Sequence, residues 1–187
     1  MRRAGSASWR MRVERWSAPY DVALWFRAAE RIQVEAGPVI PGPPIVEPLP
    51  HRSTDPADAG ELAEAWSAWW RSLVGAEPPT EPVDAARTAL SRVVAERWAE
   101  AHRWHAARKR AGVASVPRRD VRNGQVVTEI EDRLGRRARP FSLDLVLLPV
   151  DDERIRPVGA DRYLVPERVY DGPRWPGLLR ALVTPIA

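Results

Sequence analysis

Val121-Arg122-Asn123-Gly124-Gln125-Val126 is the stretch whose reading decides the fold. Asn-Gly between two short polar-apolar runs is the signature of a two-residue type I′ turn, in which both central residues need φ > 0. Read this way, two antiparallel strands pair across residues 123–124. Pro117 keeps the first strand short or at an edge, and the second runs over 125–133. Further along, Gly135 and the arginines around it make the next turn. The run FSLDLVLLPV, 141–150, reads as a central strand that is apolar on both faces after Asp144. RYLV, 162–165, is one more strand. Residues 173–183 form a short helix with Trp175, Leu178, Leu179 and Leu182 facing in.

Toward the N-terminus, Trp9, Met11 and Val13 alternate with Arg10, Arg12 and Glu14, the period of a half-buried strand. From Asp21 the spacing of Val22, Trp25, Ala29 and Ile32 is helical, and Gly37-Pro38 ends that helix. Residues 38–50 hold six prolines in thirteen positions, so 37–54 is an extended, polyproline-II-like arm or linker. Asp55-Pro56 opens a second helix, with Leu62, Trp66, Trp69 and Leu73 as its apolar stripe and Trp70 and Val74 widening it. A third and longest helix starts at Glu81-Pro82 and runs to about Arg110. The predicted architecture is therefore one α+β domain over 1–187, with an antiparallel sheet meander in the C-terminal half, three to four helices and a Pro-rich extended arm.

Composition narrows the function classes. At 187 residues, 44% apolar and 29% charged, the chain is long enough to bury a core without a covalent staple. With no cysteine, disulfides, thiolate metal sites and Cys nucleophiles are excluded. The arginines at the N-terminus are not followed by an apolar run, so no secretory signal is read there. No apolar stretch approaches the roughly 20 residues of a membrane span, and a cytoplasmic protein without membrane partners is expected.

Charge has one sequence address. Residues 103–139 carry eleven Arg and Lys against four Asp and Glu, while the whole chain is only +4. A tract of this kind marks a surface that meets phosphate or an acidic partner. Arg108, Lys109 and Arg110 end the long helix, Arg118, Arg119 and Arg122 fall on the first hairpin strand, and Arg136 and Arg137 flank the next turn. In a meander these groups converge, and arginine forks suit phosphates or carboxylates. Between Asp55 and Glu77 the chain is instead net acidic. The apolar members of the arm, Ile40, Ile45 and Val46, and the helix tryptophans Trp66, Trp69 and Trp70 form the candidate protein interface.

Signs of catalysis are sparse. There is no GxGxxG, no GxxxxGK[ST] and no GxSxG. His102 and His105 stand i, i+3 on one helix with no carboxylate at helical spacing to complete a metal site; His51 is on a loop. Glu129 or Glu131 followed by Asp144 in a strand resembles metal-dependent nucleases of the restriction-endonuclease-like fold. That family also needs an acidic residue two before a lysine on the next strand, where this chain has Glu167-Arg168. No catalytic residue, metal or cofactor is assigned. The expected function is a non-enzymatic interaction or assembly subunit, pairing with another subunit or with itself head to tail. The alternative is nucleic-acid binding through 103–139 without base readout, and a third reading is a divergent metal-dependent nuclease.

Overall fold

The computed structural model describes residues 9–75, 88–115 and 120–187. Four strands, β1 (Trp9–Glu14), β2 (Phe141–Leu148), β3 (Arg156–Pro157) and β4 (Arg162–Pro166), form one sheet in the order β1-β2-β4-β3. β1 runs parallel to β2, β2 runs parallel to β4, and only β3 and β4 are antiparallel. The helices are α1 (Ala18–Ala29), α2 (Ala59–Val74), α3 (Ala89–Ser115), α4 (Asp120–Leu134), α5 (Glu167–Asp171) and α6 (Trp175–Val183). The antiparallel meander expected from the sequence is therefore replaced by a mostly parallel sheet in a mixed α/β arrangement.

The overturned element is the hairpin. Residues 120–134 are one helix that runs straight through Asn123-Gly124. Val126, Val127 and Ile130 lie on its buried side with Asn123 one turn before them, a helical spacing that the Asn-Gly signal concealed. Asn123 is itself buried. Its Nδ2 donates to the Tyr170 hydroxyl at 3.0 Å, and its Oδ1 accepts from Trp175 Nε1 at 3.0 Å. A satisfied polar network of that kind outweighs the glycine penalty of about 1 kcal/mol inside a helix. A Cβ on Gly124 would meet nothing within 4 Å. Gly124→Ala is therefore expected to raise stability by about 0.5–1 kcal/mol in a urea unfolding curve. A type I′ turn would instead make the alanine destabilising.

The parallel arrangement explains why β2 is apolar on both sides. Val146 and Leu148 pack with α1, α2 and α3, while Leu143, Leu145 and Leu147 pack with Val126, Val127 and Ile130 of α4 and with Trp175, Leu179 and Val183 of α6. Parallel strands covered on both faces lose the alternating pattern in just this way. More than a hundred residues separate β1 from β2 in sequence, ample for the crossover that parallel pairing requires. Gly135, at φ +63°, ends α4 in the left-handed conformation that glycine adopts without strain. Asp55 Oδ1 accepts from Ala57 N at 2.8 Å and so starts the 3-10 turn Pro56–Asp58 that leads into α2.

The Pro-rich segment is not a free arm. Pro44 bridges Val150, Ile45 N donates to Pro149 O at 2.7 Å, and Asp151 N donates to Pro43 O at 2.8 Å. From the other side Arg27 donates to Pro41 O and Gly42 O, and Trp70 Nε1 donates to Val39 O at 2.7 Å. Carbonyls that a proline-rich chain cannot pair in a sheet are thus taken up by side chains. Arg27 lies within the core, and burial followed by repulsion from Arg156 lowers its pKa to about 10.

No helix among the described residues is long and apolar enough to cross a membrane.

Candidate functional site

A cleft of about 350 Å³ opens where β1 turns into α1. The turn is short, so Ser17, Pro19 and Tyr20 at the start of α1 sit against the strand they have just left. Register builds the floor. Arg12 of β1 pairs with Asp144 of β2, and Asp144 pairs with Arg162 of β4. Partners in a parallel ladder point to the same face, so the three side chains stand in a row with an anion between two cations. Glu14 lies two residues beyond Arg12 on the same face and pairs loosely with it at 3.8 Å. Leu73 and Val146 close the apolar side.

The row is held from beneath. The Arg162 guanidinium lies over the Tyr20 ring, 5.7 Å from its centroid, and the Tyr20 hydroxyl donates to Leu73 O at 2.9 Å. Burial pushes the Tyr20 phenol above its ordinary value and Glu14 adds to this, although Arg162 opposes it, so the hydroxyl stays a neutral donor. Asp144 Oδ1 is buried and has no hydrogen-bond partner. Apart from Asp144, none of these cleft residues stands out in the sequence. The usable signal is that Asp144 interrupts an apolar strand and that Arg12 and Arg162 flank it, which only the register reveals.

A second polar cluster lies nearby and is closed. Asp21 is almost fully buried between His105 Nδ1 at 2.7 Å and Arg108 at 2.8 Å. Arg108 also reaches Glu167, and Arg15 joins Glu167 and Asp171. Burial pushes the Asp21 carboxyl up, with Arg108 and His105 pulling it back only in part. These ties bind α3, α1 and the start of α5 together.

The expected basic surface is divided by this arrangement. Arg108 is engaged in the closed cluster, while Lys109 and Arg110 are exposed on α3. Arg118 and Arg119 lie outside the described residues. Arg122 donates to Tyr170 O at 3.2 Å. Arg136 donates to Ala187 O at 3.1 Å, and Arg137 is exposed beside it. α4 is 15 residues, about 22 Å long, so Arg122 and the exposed Arg133, Arg136, Arg137 and Arg139 occupy opposite ends of it. The convergence expected of a meander does not form, because the meander is absent.

The expected interface set is also redistributed. Trp66, Trp69, Trp70 and Val46 belong to the core beneath α1. Trp66 and Trp70 stack at 5.3 Å, and Trp66 Nε1 donates to Ala23 O at 2.7 Å. Ile40 is half-buried and Ile45 is exposed.

The acids of the nuclease-like pattern are not brought together. Glu129 pairs with Arg180, and Glu131 Oε1 accepts from Ala138 N at 2.9 Å on α4, across the sheet from Asp144. His102 packs against Trp98 with the rings tilted and their centroids 4.5 Å apart; burial, then His105, hold its pKa below the usual value. Among the described residues no group of three His, Asp or Glu side chains has the geometry of a metal site.

Compared with protein-family models, with curated proteins and with solved structures, the chain matches none.

Proposed function

We propose that this chain is an interaction subunit that assembles with a second copy of itself through the outer edge of β1. The observation that carries this reading is the asymmetry of the two sheet edges. β3 is two residues long and blunts one side, whereas β1 exposes six residues to which, among the described residues, no strand pairs on the outer side. An open edge of that length is a template for strand addition. Trp9, Met11 and Val13 on it are only half-buried.

Charge selects the register. Antiparallel pairing of two copies centred on Val13 sets Arg12 opposite Glu14 twice, once on each side of the two-fold axis. Centring on Met11 sets Arg10 against Arg12 twice, and centring on Arg12 sets Arg12 against itself at the axis while pairing Arg10 with Glu14 twice; like charges directly opposite are destabilising, and only the Val13 register has none. The Pro-rich segment and the Trp helix support assembly indirectly, as the framework that holds α1 over the sheet.

Size-exclusion chromatography with light scattering tests this. The expected result is a dimer that Arg12→Glu turns into a monomer and that the double exchange Arg12→Glu, Glu14→Arg restores. A wild-type monomer at tens of micromolar sinks the reading. Nucleic acid included in a parallel run addresses the second reading, which the exposed knuckle of Arg133, Arg136, Arg137 and Arg139 favours. A complex that forms only with nucleic acid and dissolves in high salt would put that reading first.

A further inference from the structure

We infer that the cleft at the β1–α1 turn binds a small zwitterion of the aliphatic amino-acid class. Its lining carries both signs in balance: Arg12 and Arg162 against Glu14 and Asp144. A simple anion would gain the arginines and meet two carboxylates, and a simple cation would meet the converse. Only a molecule with both charges close together finds each paired.

The details assign the ends. Adjacent strands are about 4.8 Å apart, so the Asp144–Arg162 step offers an anion and a cation side by side. A carboxylate fits the Arg162 fork, with the first turn of α1 adding the positive end of a helix dipole at Ser17. An ammonium fits the Asp144 carboxylate where it lines the cleft. The side chain then lies toward Pro19, Leu73 and Val146, an apolar wall. A volume of about 350 Å³ has room for a molecule of this size. Asp144 and Arg162 stand on inner strands, so this inference goes beyond the assembly reading and survives its failure.

The experiment is two-dimensional amide NMR of the full chain titrated with L-leucine into the millimolar range. Saturable shifts are expected at residues 17–20, 144 and 162. Asp144→Asn and Arg162→Gln, each confirmed folded by its own spectrum, are expected to weaken binding by about tenfold or more, the effect of losing one hydrogen bond to a charged group. Two analogues test the wild-type protein without any mutation. Isocaproate lacks the amine, isoamylamine lacks the carboxylate, and neither should bind comparably. The inference is overturned if leucine and valine give no saturable shift, if isocaproate or inorganic phosphate binds as well as leucine, or if Asp144→Asn binds leucine unchanged.

Discussion

Glu30→Ala is expected to lower the unfolding free energy by about 3–5 kcal/mol, the cost of removing one member of a buried, hydrogen-bonded ion pair. Glu30 is fully buried at the end of α1. Its carboxylate accepts from Ser53 N and Oγ at 3.0 and 2.9 Å, from Thr54 N and Oγ1 at 3.0 and 2.9 Å, and from Arg97. Arg97 is equally committed. It lies over the Trp25 ring at 4.7 Å, bonds His51 O and pairs with Glu100. One carboxylate therefore joins α1, α3 and the chain leaving the Pro-rich segment, and alanine removes an acceptor from five donors at once. The same group sets a pH dependence. Burial alone would push the Glu30 carboxyl up, but the Ser53 and Thr54 donors outweigh it and hold it below its ordinary value of 4.5. A depressed carboxyl contributes stability that is present above that value and lost as pH falls through the folded one. Urea unfolding across an acid series should show the wild type losing stability below about pH 4.5, with Glu30→Ala already low and flatter. An alanine variant within 1 kcal/mol of wild type would refute the role.

Trp70→Ala is expected to cost about 3–5 kcal/mol, as for other large aromatic truncations in a packed core. Trp70 is fully buried, stacks on Trp66 and meets the Tyr20 ring edge-on at 5.4 Å. Its Nε1 is also one of the pins of the Pro-rich segment, through Val39 O. Trp70→Phe separates the two contributions. It keeps a ring in the core and removes the pin, so it should cost less while making the 38–50 segment cleavable by a protease that spares the wild type. Had the tryptophan stripe been a docking face, Trp70→Ala would leave unfolding unchanged and weaken association instead. Denaturant curves beside light scattering distinguish these outcomes.

How much of this was legible in the sequence depended on how far away each residue's partner lies. The strand at 141–148 and the helix at 59–74 announce themselves by composition and spacing, and both stand inside the stretches expected for them. Asn123 does not. Its turn propensity is local, whereas Tyr170 and Trp175, which hold it in a helix, come some fifty residues later. Strand direction was hidden for the same reason, since nothing near Trp9 tells that its partner is Phe141. The basic tract reads as one surface only while neighbours in sequence stand as neighbours in space. Arg108 answers instead to Asp21 and Glu167, and α4 carries the remaining charges apart. The cleft was invisible because Arg12, Asp144 and Arg162 become adjacent only through register. The tryptophans were ambiguous from the start, because a stripe at helical spacing looks alike whether it is core or contact surface.

The stitching of residues 41–46 onto 149–152 has a consequence for synthesis. A ribosome releases the N-terminal third of this chain, with its exposed indoles, long before β2 and the loop after it exist. Gly42 N must wait for Asp152 Oδ2, and Ile45 N for Pro149 O. β1 likewise has no neighbour until residue 141 emerges. The sheet and the pinned Pro-rich segment therefore cannot be completed as the first third of the chain emerges. Both wait for residues 141–166, and until then β1 and the 41–46 stretch lack the partners that hold them in the finished fold.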